Sequence, residues 1–266
     1  MSGELLYGSS LWLIASIMLA LLILVTEAGF RASGRVRSRL EETAKSQIGV
    51  ISGALLGMLA LLLGFTFAMA QSRFELRQGL VLEESNDIGT AYLRTRLLPE
   101  PNRTEAASLL QSYVQARLDF HQGGIGEKRM KDAHQRTGQL QYQLWSNALS
   151  AVAKDDREVT TGLFIESLND VFDSQAKRLA AMENHVPESV LMLLFIVAMV
   201  AALSVGYGCG LGAHRHLFST TMMSLLIVLV IVVIIDLDRP RRGLIRVSQA
   251  SMIRLQESMS LGARSR

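Results

Sequence analysis

Apolar and polar residues are sorted along this chain in whole segments. Four apolar runs, Leu5–Val25, Ile48–Ala70, Val190–Leu211 and Leu217–Ile235, stand two on each side of a polar block, Gln71–Pro187. Each is close to the ~20 residues that a helix rising ~1.5 Å per residue needs to cross ~30 Å of hydrocarbon. Lipid offers no partner to backbone N–H and C=O groups, so the runs are predicted to be helices. The expected fold is all-α: four transmembrane helices with a helical extramembrane domain inserted between spans two and three. The first run is expected to be a retained span. No Lys or Arg precedes it, it exceeds a signal-peptide core in length, and no small-x-small cleavage site stands before Glu27.

Within the polar block the apolar spacing is helical throughout. The first helix is predicted to continue from span two through Phe74, Leu80, Ile88 and Leu93 and to stop before Pro99 and Pro101, which remove donors and fix φ. A second, opened by Thr104 as N-cap with Glu105 in its first turn, carries Leu109, Leu110, Tyr113, Val114 and Leu118 until Gly123, Gly124 and Gly126 end it. A third covers Glu127–Ala153 and a fourth Glu158–Asn184, with Pro187 opening span three. Ser248 is a candidate N-cap for a final helix with Met252, Ile253 and Leu255 on one side, docking on the polar block. The divisions expected are therefore 1–70, spans one and two; 71–187, the helical domain; 188–237, spans three and four; and 238–266, a basic segment and amphipathic helix.

Composition agrees: 49% of the residues are hydrophobic and the net charge is only +3, too weak a basic balance to point to nucleic acid despite a pI near 9.2. The single cysteine, Cys209, rules out an internal disulfide. The positive-inside rule gives a divided answer. Arg31, Arg35, Arg37, Arg39 and Lys45 argue for one side, whereas Arg73, Arg77, Lys177, Arg178 and the arginines after span four argue for the other. Counted near the span ends, the charges favour a cytoplasmic helical domain in a bacterial inner membrane.

Three patterns carry candidate chemistry. Span two has Gly49, Gly53 and Gly57 at four-residue spacing, extended by Ala60, Gly64 and Ala68, a stripe on which another backbone can approach closely or which can line an axis together with Phe65 or Phe67. Beyond it, Glu83, Glu84, Asn86, Asp87 and Thr90 form a polar cluster. It is a solvated face, or is ion-paired to Arg73, Arg77 or Arg94, or, repeated around an axis, forms an acidic ring for cations. At the end of span four, Asp236, Asp238 and Arg239 are expected to form an interfacial knot, Asp236 pairing with Arg239, after which Pro240 and Gly243 turn the chain; the other reading of Asp236 is an ion or proton pathway. The run Ser204–Gly208 imitates a potassium-filter sequence but closes a span of ordinary length, so continuous helix is expected there. His214, Arg215 and His216 read as a solvated turn. No Ser/His/Asp arrangement, HExxH, P-loop or cysteine nucleophile is present, which lowers the prospect of an enzyme.

The runs GALLGMLALLLGFTFAMAQSRFELR from Gly53, EESNDIGTAYLRTRLLPEP from Glu83 and DLDRPRRGLIRVSQ from Asp236 resemble the bacterial bestrophin-like membrane proteins, a domain family of unknown function. The likeness covers most of the chain from Gly53 to Ser248. The family pattern usually has Ala where Ser85 and Asp87 stand here, so an acid at 87 counts against a shared acidic site, and no clasp of consecutive acids for calcium is visible. The resemblance implies kinship with four-span, pentameric anion channels bearing a helical cytosolic domain. The two readings it leaves are an oligomeric bestrophin-like ion channel and a non-conducting membrane scaffold or sensor whose helical domain binds a partner. The expected partners are the lipid bilayer, further copies of the chain and an inorganic ion. No cofactor and no nucleic acid is expected.

Overall fold

The computed structural model describes residues 10–34, 36, 42–122, 127–154, 158–212, 215–239 and 243–264. Among them the regular elements are all helical: α1 Leu11–Gly34, α2 Glu42–Arg94, a 3₁₀ turn Thr95–Leu97, α3 Asn102–Gln122, α4 Glu127–Val152, α5 Glu158–Glu183, α6 Glu188–Leu211, α7 Leu217–Asp238 and α8 Ala250–Arg264. Helices α1, α2, α6 and α7 each contain a stretch long and apolar enough to cross a membrane. Many of their large side chains, among them Leu24, Leu61, Met192 and Leu226, face outward, as lipid-facing residues do.

The chain divides into two compact units. One comprises the described residues up to Arg73 with His185–Arg239 and Gly243–Ile245. Here α1 lies against α6 and α7, and α6 against α7. Glycine makes the α1–α6 crossing possible. A methyl group on Gly206 would fall on the Thr26 carbonyl, one on Gly29 on the Leu203 carbonyl, and one on Gly210 on Ser33 Oγ and 2.5 Å from the Phe30 carbonyl. Backbone therefore meets backbone at three levels, the packing mode that stabilises helices in a solvent as apolar as their own side chains. Ser52 on α2 and Ser204 on α6 add an interhelical hydroxyl pair at 2.7 Å. Helix α6 runs unbroken through Ser204–Gly208 to Leu211, as expected for a span end.

The second unit comprises Phe74–Asn184 and the chain from Arg246 onward. The end of α2 and helices α3, α4, α5 and α8 enclose one apolar core, including Ile88, Leu110, Tyr113, Leu144, Phe164, Leu168, Met252 and Met259. Ser248 Oγ accepts from the Ala250 N–H at 3.3 Å, and Met252 turns inward as its spacing predicts. Ile253 instead faces out, and Met259 takes the second inward place.

Three boundaries differ from the sequence reading. Helix α1 extends beyond Val25 to Gly34, because Glu27 and Arg31 pair at 2.8 Å one turn apart and carry the helix past the apolar run. Helix α2 begins at Glu42, ahead of the apolar run, so part of the expected connection is helix. Helix α3 starts at Asn102 rather than after Thr104: the Pro101 carbonyl accepts from the Glu105 N–H, and the Glu100 carboxylate caps the helix by accepting from the Thr104 N–H at 3.3 Å, with the Thr104 Oγ1–H also donating to it at 2.9 Å. The expected stops at Gly123, Gly124 and Gly126 lie outside the described residues, as do His214 and Pro240.

Candidate functional site

Three polar or open features emerge where the sequence placed candidate sites. The first is the cluster after span two. On a helix turning 100° per residue, Glu83, Glu84, Asn86, Asp87 and Thr90 cannot all share one side, and α2 divides them. Glu84 and Ser85 turn inward with Ile88, whereas Glu83, Asn86 and Thr90 face solvent and Asp87 is half-buried. Glu83 pairs with Lys177 at 3.0 Å. Ser85 donates to the Ser251 carbonyl at 3.1 Å, tying α8 to α2. The cluster is thus not one acidic face, and Glu84 pairs with none of Arg73, Arg77 and Arg94.

Glu84 is instead the centre of a buried ionic triad. Its Oε1 accepts from Arg117 Nε at 2.5 Å, and its Oε2 accepts from Arg117 Nη2 at 3.2 Å and from Arg178 Nη1 at 2.5 Å. All three side chains are at most 1% exposed. The ion pairs offset the cost of desolvating three charges, and the triad keeps a surplus of one positive charge. Arg178 Nη2 donates to Gln249 Oε1 at 2.6 Å and contacts His121 Nε2. A guanidinium has no lone pair, so that ring nitrogen is the acceptor and the imidazole is neutral in this arrangement. Burial lowers Arg178 from its ordinary value, Glu84 opposes that shift and Arg117 adds to it. The neighbouring Tyr113 phenol is pushed up, first by burial and then by Glu84. Arg77, one turn before Val81, donates to the Ala181 and Asn184 carbonyls at 3.0 and 2.8 Å, a cation at the negative end of α5.

Neither Arg117 nor Arg178 stood out as a site residue in sequence. The signal was present in weak form: Arg117 follows Leu110, Tyr113 and Val114 on the apolar stripe of α3, and Arg178 follows Phe164, Leu168 and Val171 on that of α5. An arginine on an inward stripe requires a buried partner.

The second feature is the end of α7. Asp236, Asp238 and Arg239 are all buried, but Asp236 does not pair with Arg239. Its Oδ1 accepts from the Leu244 N–H at 2.9 Å and its Oδ2 from the Ile245 N–H at 2.8 Å. Asp238 Oδ2 accepts from the Val186 N–H at 2.6 Å, with His185 Nδ1 at 3.6 Å. Two carboxylates near the hydrocarbon are thereby held by backbone donors. Gly243 is needed for close approach: a methyl group there would stand 2.7 Å from Asp236 Oδ1 and 2.8 Å from its carbonyl oxygen.

The third feature is the glycine stripe of span two, and it is open. A methyl group built on Gly49, Gly53, Gly57 or Gly64 meets no atom of the described residues within 4 Å. The buried side of this part of α2 is narrow, carrying Ser52, Leu59, Thr66 and Ala70. Phe65 and Phe67 are exposed, but two residues apart on a helix they point to nearly opposite sides, and Phe67 lies on the stripe with Gly53, Ala60 and Gly64. Among the described residues no group of three or more His, Cys, Asp or Glu is gathered to hold a metal ion.

A family model described as Bestrophin-like domain matches residues 15–252. Solved structures share the fold. A point variant of a bacterial bestrophin homologue from Klebsiella pneumoniae superposes with a TM-score of 0.66 at 15% identity, covering 94% of this chain and 97% of that one. A second variant gives 0.65 at 14% identity over 95% and 98%. The homologue solved by zinc anomalous phasing gives 0.63 at 14% over 94% and 97%. No curated protein matches the chain.

Proposed function

The chain belongs to the bestrophin-like family, and from that premise we propose that it is a membrane channel assembled from several copies, with the open face of span two lining the axis. One observation carries the reading: Gly49, Gly53, Gly57 and Gly64 lie on a membrane-length helix, and a methyl group on any of them would meet no atom of the described residues within 4 Å. In lipid, a glycine row left without a close partner forfeits packing, so it is best explained by a neighbouring copy or a water-filled axis. Phe67, on the same stripe, is then the side chain that narrows the path. In this reading the unit from Phe74 to Asn184 is the extramembrane domain inserted between spans two and three, it faces the cytoplasm, and the membrane is the bacterial inner membrane. The ion is inorganic.

The test is paired. Cross-linking of the purified protein in lipid nanodiscs is expected to give one closed oligomer, and liposomes containing it are expected to pass small ions. Phe67→Ala is expected to raise flux and Phe65→Ala to leave it near the wild-type level. A monomer, or an oligomer without flux under any ion gradient, removes the channel reading. It would favour the scaffold alternative, to which the outward-facing Tyr142, Leu149 and Val159 of the helical unit lend a surface.

A further inference from the structure

We infer that the cavity between α1, α6 and α7, at the end where α6 passes into α7, holds the headgroup of a phospholipid bearing a primary ammonium, of the phosphatidylethanolamine class. The cavity has a volume of about 50 Å³, and Thr26 and Glu27 of α1, Cys209 of α6, Arg215, and Thr220 and Ser224 of α7 line it. Glu27 stands two residues past the apolar run that ends at Val25, Cys209 lies in the last turn of α6, and Leu217 opens α7. The cavity therefore sits at the level where hydrocarbon gives way to headgroups.

The polar groups call for a donor on one side and an acceptor on the other. Thr26 Oγ1 donates to the Leu22 carbonyl at 2.8 Å, Ser224 Oγ to the Thr220 carbonyl at 3.0 Å and Thr220 Oγ1 to the His216 carbonyl at 3.0 Å. Each hydroxyl proton is held by its own helix, so toward the cavity these oxygens can only accept. Glu27 accepts as well: Arg31 Nε and Arg215 Nη2 both meet its Oε1, at 2.8 and 3.2 Å, and the described residues place no donor on Oε2. A primary ammonium brings N–H donors and a positive charge to this set. Arg215 supplies the opposite half. Its guanidinium lies over the Phe30 ring, 4.7 Å from the centroid, on a side chain still 53% exposed. Two arginines against one carboxylate leave this rim positive, which suits a phosphodiester. Size then narrows the class: at ~10–15 Å³ for each water-sized group the cavity takes roughly four, the count of heavy atoms in an ethanolamine arm. Choline adds three methyl groups and has no N–H, and a glycerol headgroup brings no cation. Ile23 and Leu217 also line the cavity and remain exposed, an apolar path for the acyl chains.

The inference concerns lipid binding at equilibrium and does not depend on conduction. Cys209 is the single cysteine of the chain and lines the cavity, so the rate of its modification reports occupancy. Full-length protein, stripped of lipid in maltoside micelles, is treated with methyl methanethiosulfonate and followed by intact mass. Phosphatidylethanolamine, phosphatidylcholine or phosphatidylglycerol of the same acyl chains is added, or soluble phosphoethanolamine at the same concentration. Phosphatidylethanolamine is expected to slow labelling saturably by about fivefold or more, and each of the other three by less than about twofold. Thr26→Val with Ser224→Ala, which removes two acceptors and leaves every charge in place, is expected to label at the wild-type rate without lipid and to lose most of the protection. No protection by phosphatidylethanolamine, equal protection by phosphatidylcholine or by soluble phosphoethanolamine, full protection in the double variant, or a thiol unreactive in lipid-free micelles would each overturn the inference. The comparison of lipids on the wild-type protein decides the matter alone should the double variant fail to fold.

Discussion

Two buried carboxylates, one in each unit, are neutralised by different means. Glu84 sits between two guanidinium groups, charge against charge, whereas Asp236 is met by the N–H groups of Leu244 and Ile245, dipoles supplied by the chain itself. The difference locates the weak point of each site. In the triad it lies in the side chains, since removal of one charge strands the others in a dry interior. At the end of α7 it lies in the backbone path, so Gly243, which has no functional group, matters as much as the acid it lets approach.

The largest expected effect tests the first half. Glu84→Gln keeps the shape but leaves Arg117 and Arg178 without a counter-charge, and is expected to cost about 3–5 kcal/mol, read as a fall in the unfolding transition of the helical unit. A loss below about 1 kcal/mol would mean that solvent or another anion already compensates the arginines. Next comes Gly243→Ala, whose new methyl group must displace the Asp236 carboxylate, at roughly 1–3 kcal/mol. Limited proteolysis near Leu244 is expected to speed up as much in this variant as in Asp236→Ala, and the double variant is expected to be no worse than either alone. Unchanged cleavage in Gly243→Ala would break the comparison.

The smallest effect concerns a third acid that has neither kind of partner in full. Asp87 is half-buried, and its carboxyl is raised above the ordinary value of 3.8, first by burial and then by Asp170 and Glu83, against a Ser174 hydrogen bond and Lys177. A raised folded value means that the folded state holds the proton more tightly than the unfolded chain. The resulting destabilisation is absent below pH 3.8, grows as pH rises through the folded value and is complete above it. Asp87→Asn is therefore expected to raise Tm at neutral pH by about 1 °C and to give no gain below pH 3.8. A gain that persists in acid would place the benefit in packing.

The same contrast explains what the sequence could disclose. The membrane-length helices were legible because length and freedom from charge are properties of a contiguous run, as Ile48–Ala70 and Leu217–Ile235 show. The all-helical character followed likewise from apolar spacing. Partnership was not legible, because it joins distant residues. Glu84 meets residues on α3 and α5, and nothing near position 84 tells which side of α2 will be covered by them. Asp236 stands three residues before Arg239, which made that pairing the natural local expectation. The chain instead folds back and presents Leu244 and Ile245 first. Glycine shows the limit most plainly: the regular row in span two drew notice, while Gly29, without a periodic companion on α1, proved to be a point of contact.

That contact bears on how the protein is made. Gly29 leaves the ribosome roughly 175 residues ahead of Leu203 and Tyr207, whose backbone it meets across the α1–α6 crossing, which at ~5–20 residues per second is a wait of roughly 10–35 s. Through that interval α1 stands without the helix it packs against most closely. Helix α1 is thus secured only once α6 has been made, and any factor that shields nascent spans would find a substrate in it.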